Sequence, residues 1–98
     1  MLVYDQSFGQ MGPFKITGHI MSEEGEELPN ANILLNGSKV FTSDIHGDFS
    51  IVGLNHGEYT LQFTFVGYDT LTSRVSLHEK DMHLDVRLHN IEIELNEA

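Results

Sequence analysis

Between Phe14 and Leu88 apolar residues recur at every second position in short runs, and no segment carries a helical period of them over three turns. Phe14, Ile16, Gly18 and Ile20 alternate with Lys15, Thr17 and His19; Tyr59, Leu61, Phe63 and Phe65 alternate with Thr60, Gln62 and Thr64. Successive side chains of a strand point to opposite faces, so each run describes a strand with one face buried. Shorter runs repeat the pattern at Ala31, Ile33 and Leu35, at Phe49 and Ile51, at Leu71, Ser73, Val75 and Leu77, and at Met82, Leu84, Val86 and Leu88. Ile91, Ile93 and Leu95 continue it toward the end of the chain. Turn signals separate the runs at intervals of about 8–12 residues, which is the spacing of an all-β sandwich. Seven short strands with two inner faces fit 98 residues folded as one domain.

The stretch from Asp44 to Tyr68 is the expected centre of the core, with Phe49, Leu61, Phe63 and Phe65 as anchors. The turns are legible for separate physical reasons. Asn36-Gly37 suits a type I′ hairpin because both residues tolerate positive φ, which sends a third strand, Ser38 to Ser43, back beside the second. Asp44 is placed to accept hydrogen bonds from backbone two residues on, and Gly47 to take the left-handed conformation before the ladder resumes at Asp48. Gly53 to Gly57 is expected to carry the chain over to strand five, Gly67-Tyr68-Asp69 to break that strand, and His78 to Asp81 to turn before strand seven. Residues 1–13 show no sustained period and read as a flexible leader.

Composition excludes several function classes. Five Lys and Arg against fifteen Asp and Glu leave a formal charge of −10, a surface that repels a phosphate backbone and offers no polybasic patch to anionic lipid. Nucleic acid is therefore not an expected partner. No apolar run approaches the roughly 20 residues of a membrane span, so no direct membrane insertion of this chain is expected. The absence of cysteine rules out disulfides, thiolate metal sites and cysteine nucleophiles.

Each candidate site has a plainer explanation beside the functional one. Glu23, Glu24, Glu26 and Glu27 surround Gly25 in an acidic turn without the alternating ligand pattern of a calcium loop. Asp44, His46 and Asp48 have the look of metal ligands but read as turn-forming, solvent-facing residues. His19, His83 and His89 share outward parity on strands one and seven, and would approach each other if those strands were neighbours; they read as exposed side chains. Asn36-Gly37-Ser38 fits a glycosylation sequon and is better explained as a turn. His56 and Tyr59 have the spacing of a zinc-ligand pair, with Tyr where the pair needs Glu. Tyr68 is the best aromatic for stacking on a sugar, yet reads as a packing residue at a strand end. No Ser stands beside a base or at a strained elbow. The chain therefore reads as no enzyme, with no catalytic, cofactor-binding or metal residues assigned.

One family resemblance covers about residues 14–90. Ile16-Thr-Gly-His-Ile-Met, Gly25-Glu-Glu-Leu-Pro-Asn-Ala-Asn-Ile, Asn36-Gly, Ser43-Asp-Ile-His-Gly-Asp-Phe-Ser-Ile, Gly57-Glu-Tyr-Thr-Leu and Phe65-Val-Gly-Tyr, in that order, resemble the carboxypeptidase-regulatory-like domain. The resemblance implies a seven-stranded transthyretin-like, or prealbumin-like, sandwich of immunoglobulin-like architecture. Asn30 stands where receptors of this family commonly have Gly, a mild departure because Asn shares a glycine's turn conformation. Leu95-Asn-Glu-Ala resembles the start of the Leu-x-Glu-Val-Val-Val stretch that includes or adjoins a TonB box, with Ala98 in place of the first Val. Residues 91–98 are then a tail leading towards a TonB box and plug.

The resemblance implies a non-catalytic periplasmic accessory domain of a TonB-dependent outer-membrane transporter for nutrients or glycans. Such a domain acts as a spacer or a protein-interaction module beside the TonB-engaging segment. Its partners would be the plug and barrel of the same receptor, and TonB or another periplasmic protein. Two alternatives stay open on the residues: the accessory domain of a secreted metallocarboxypeptidase, and a small carbohydrate-binding module.

Overall fold

Seven strands carry the alternating runs in a computed structural model that describes residues 12–91. They are β1 (Phe14–Ser22), β2 (Asn32–Leu35), β3 (Lys39–Thr42), β4 (Asp48–Leu54), β5 (Gly57–Thr64), β6 (Leu71–Leu77) and β7 (Met82–Leu88). One sheet has the order β4-β1-β7 and the other β3-β2-β5-β6. The two inner faces pack on each other as the expected seven-stranded sandwich. Hairpins β2–β3 and β5–β6 stay within the larger sheet, while the other connections cross between sheets. The first and last strands, β1 and β7, lie side by side and parallel, from Ile16 opposite Met82 to Ser22 opposite Leu88. The end of the sandwich at which both finish is here the upper end.

The core keeps closely to the alternation. Ile16, Ile20, Ile33, Ile51, Leu61, Phe63, Leu77 and Leu88 are almost wholly shielded from water. Phe49 on β4 and Phe63 on β5 meet across the two sheets, with ring centroids 5.7 Å apart and planes tilted by 52°. Gly18, at an inward position of β1, makes room for that contact: a Cβ there would lie 2.4 Å from the Phe49 ring.

Departures from expectation sit at strand ends, where pleat and turn compete. Asn36 and Gly37 have φ of 50° and 72°, as the hairpin requires, but pairing resumes with Leu35 opposite Lys39, so Ser38 belongs to the turn. Asn36 also braces β5: its N–H donates to the Thr60 carbonyl at 2.8 Å, and its side-chain oxygen accepts the Thr60 N–H at 2.9 Å. β4 runs on through Gly53 to Leu54, leaving Asn55 and His56 alone to make the crossing. Tyr59 fastens that crossing by donating its hydroxyl to the Asn55 carbonyl at 2.7 Å. Phe65, expected as an anchor, falls beyond the end of β5 and is only half-buried. Leu71, Met82 and Leu84 are likewise less covered than their parity suggests: they lie in the first half of β6 or β7, whereas Val75, Leu77, Val86 and Leu88 further along the same strands are buried. Gly12, read as leader, donates its N–H to the Gly53 carbonyl at 2.9 Å. Residues 1–11 of the leader, and Ile93 and Leu95 of the tail, lie outside the described residues.

Candidate functional site

The upper end carries the acidic turn, the Asp44 turn and the Phe65–Tyr68 loop, and short side chains organise the first two. Buried Ser22 accepts hydrogen bonds from the N–H groups of Glu24 (3.1 Å) and Glu26 (3.0 Å), folding the acidic turn back on the end of β1. Buried Ser43 accepts from the Ala31 N–H at 2.9 Å and donates to the Leu28 carbonyl at 2.8 Å, stapling the start of β2 to the end of β3. These serines escaped the reading of the sequence, which offers only a polar residue between apolar runs as their signal. Asn30 adopts φ of 61°, the glycine-like conformation expected of it.

The Asp44 turn forms as read. One carboxylate oxygen accepts the N–H of His46 and of Asp48, each at 2.9 Å. Those backbone donors, Asp48 first, hold the Asp44 carboxyl below its ordinary pKa. Gly47 turns at φ of 85° against β1, where its carbonyl accepts the Ile20 N–H at 2.7 Å.

The outlet of the chain is bound to the Phe65–Tyr68 loop. Asp69 N–H donates to the His89 carbonyl and Ile91 N–H to the Gly67 carbonyl, each at 2.9 Å, with Tyr68 and Asn90 paired between them. Phe65 and Tyr68 pack edge to face at 5.6 Å, and both are half-buried, as a packing role at a strand end requires. Together with Asn30, Asn32, Thr64 and Thr70 they line a shallow groove of about 490 Å³, and Val66 stands 92% exposed at its edge.

β1 and β7 are neighbours, yet the three histidines on or beside them are held apart by separate partners. His19 Nδ1 donates to Asp48 at 2.7 Å, His83 shares a hydrogen bond with Thr17 at 3.0 Å, and His89 lies 2.9 Å from Glu23. His46, for its part, lies 3.8 Å from Glu27. Among the described residues no group of three or more histidines and carboxylates is arranged to hold a metal ion. His56 is an exposed turn residue with no zinc-ligand geometry around it. What the upper end offers chemically is therefore a charged, hydrogen-bonding surface around a fixed outlet. The tail motif Leu95-Asn-Glu-Ala lies outside the described residues.

Comparisons with known proteins bear on the family and the fold. The family model of the CarboxypepD_reg-like domain matches residues 16–98. A TonB-dependent receptor, P39 of Formosa agariphila, is 35% identical over 57 residues, which is 57% of this chain and 5% of the receptor's own length. Among solved structures, the pilus 2b backbone protein of group B streptococcus superposes with a TM-score of 0.70 at 17% identity, over 80% of this chain and 41% of that one. Chlorocatechol 1,2-dioxygenase from Pseudomonas putida does so with a TM-score of 0.64 at 12% identity, over 81% of this chain and 61% of that one. A structural protein and an enzyme share the sandwich, so these likenesses speak to fold alone.

Proposed function

Because the chain belongs to the CarboxypepD_reg-like domain family, we propose that it is a non-catalytic accessory module of a TonB-dependent outer-membrane transporter, standing on the periplasmic face of that membrane. The receptor similarity supplies the context, and one structural observation supports the role within it. The chain enters β1 at the lower end and leaves β7 at the upper end, since the two strands are parallel. The domain therefore sets its inlet and its outlet apart by the length of a strand, roughly 25–30 Å at about 3.3 Å per residue. A spacer needs that displacement and a fixed outlet, and the pairing of Tyr68 with Asn90 supplies the outlet. Its partners are then the plug and barrel of its own receptor, with the acidic upper end turned to TonB or another periplasmic protein.

Excision of residues 14–90 from the parent protein tests this. The expected result is a receptor that still inserts and still binds its substrate at the cell surface, with energised uptake reduced. Uptake unchanged by the excision, or a parent gene that encodes no plug and no barrel strands after Ala98, overturns the proposal.

A further inference from the structure

The same pairing that sets the inlet of β1 apart from the outlet of β7 also decides how the domain answers a pull. From the parallel register of β1 and β7 we infer that this pair is a shear clamp, and that the domain carries tension along the chain without opening. This deepens the spacer reading and takes from it only the source of the load.

β1 and β7 are paired in unbroken register, from Ile16 opposite Met82 to Ser22 opposite Leu88. Tension draws the start of β1 downward and the end of β7 upward, along the strands and across their hydrogen bonds. The whole ladder is then loaded at once, and no bond at its end can be broken alone. Had the last strand run antiparallel to the first, both ends would leave together and the same ladder would open one bond at a time.

Further contacts guard both ends of the ladder. At the lower end the Lys15 N–H donates to the Asp81 carboxylate at 2.9 Å, and Gly12 is tied to Gly53. At the upper end the Glu23 N–H donates to the Leu88 carbonyl at 3.2 Å, and the Tyr68–Asn90 pairing holds the outlet to the other sheet. β1 cannot simply be drawn out either, because β4 grips its other edge from Phe14 opposite Leu54 to His19 opposite Asp48. Inward side chains of both strands, among them Ile16, Ile20, Val86 and Leu88, are buried, so sliding would also drag apolar surface through the core.

Single-molecule force spectroscopy on the 98-residue chain tests the clamp, using introduced cysteines as handles because the sequence contains none. Handles at Pro13→Cys and Ile91→Cys load β1 against β7 in shear; handles at Pro13→Cys and Lys80→Cys pull on the lower end alone and peel. All three positions are exposed, so both variants should melt as the parent does. The expected result is a peak force several-fold higher in the shear pair at the same loading rate, with the whole domain released in one step. Equal forces in the two geometries, or early low-force detachment of β7 as a short separate step, overturn the inference. The receptor reading fails or stands on the gene and uptake tests, which leave these forces untouched.

Discussion

At the lower end of the sandwich Gly37 turns at φ of 72° with no heavy atom within 4 Å of where its Cβ would lie; at the upper end Gly47 turns at φ of 85° with the Ile20 carbonyl oxygen 2.5 Å from that point. The two glycines are alike in sequence, each coming after a polar residue between apolar runs. Their surroundings differ because the lower hairpin closes on itself within one sheet, while the upper turn leads from β3 to β4 and is pressed onto β1. The Gly47 turn is bound into the body of the fold, whereas Gly25 and Gly67 at the same end have open space around them, as Gly37 has.

Both ends lean on a shared interior, and the largest effect is expected there. Phe63 is fully buried and meets Phe49 across the sheets, so Phe63→Ala should destabilise by about 3–5 kcal/mol in chemical denaturation. An unchanged unfolding midpoint would mean that the two ends are not coupled through this core. Next comes the direct contrast. Gly37→Ala should cost about 1–2 kcal/mol for the left-handed backbone alone, and Gly47→Ala distinctly more, since its new Cβ meets a carbonyl. Equal losses would erase the distinction between the two turns.

A smaller effect concerns pH. The Asp44 carboxyl titrates below its ordinary value of 3.8 in the folded state, so its contribution is fully present above that value and is lost as pH falls through the folded pKa. The melting temperature of Asp44→Asn should lie below that of the parent near neutrality, with the gap closing as the medium becomes more acidic than about pH 3.8. A constant gap would assign the loss to turn geometry and not to charge. The smallest effect belongs to the groove edge: Val66→Ser, at a residue 92% exposed, should change stability by no more than about 0.5 kcal/mol. A larger loss would show that the Phe65–Tyr68 loop is packed as tightly as the Gly47 turn.

How far the sequence carries can be judged on particular residues. The Asp44 hydrogen bonds, the positive φ of Asn36 and Gly47, and the burial of Phe49, Leu61 and Phe63 were all legible, because each depends on a residue's own conformational range or on parity along one strand, while the positive φ of Asn30 is what the family resemblance implies. Phe65 was misjudged because alternation persists in the letters one step beyond the point where the pleat ends at Thr64. The bracing roles of Ser22 and Ser43 were missed, since a hydroxyl gives no hint of which distant backbone it will satisfy. The candidate site was legible only in part. The acidic turn and Tyr68 could be singled out, whereas the bond between the outlet and the Gly67–Asp69 backbone could not.

Alternation and turn chemistry, then, determined by themselves that the described residues make seven strands with two inner faces, since both act within a few residues. Only the tertiary structure decided that β1 and β7 lie parallel and adjacent. Strand partnership is settled by which apolar faces find each other across the whole chain, and no local pattern encodes it. The displacement between inlet and outlet, and the clamp that resists a pull along it, both arise from that pairing.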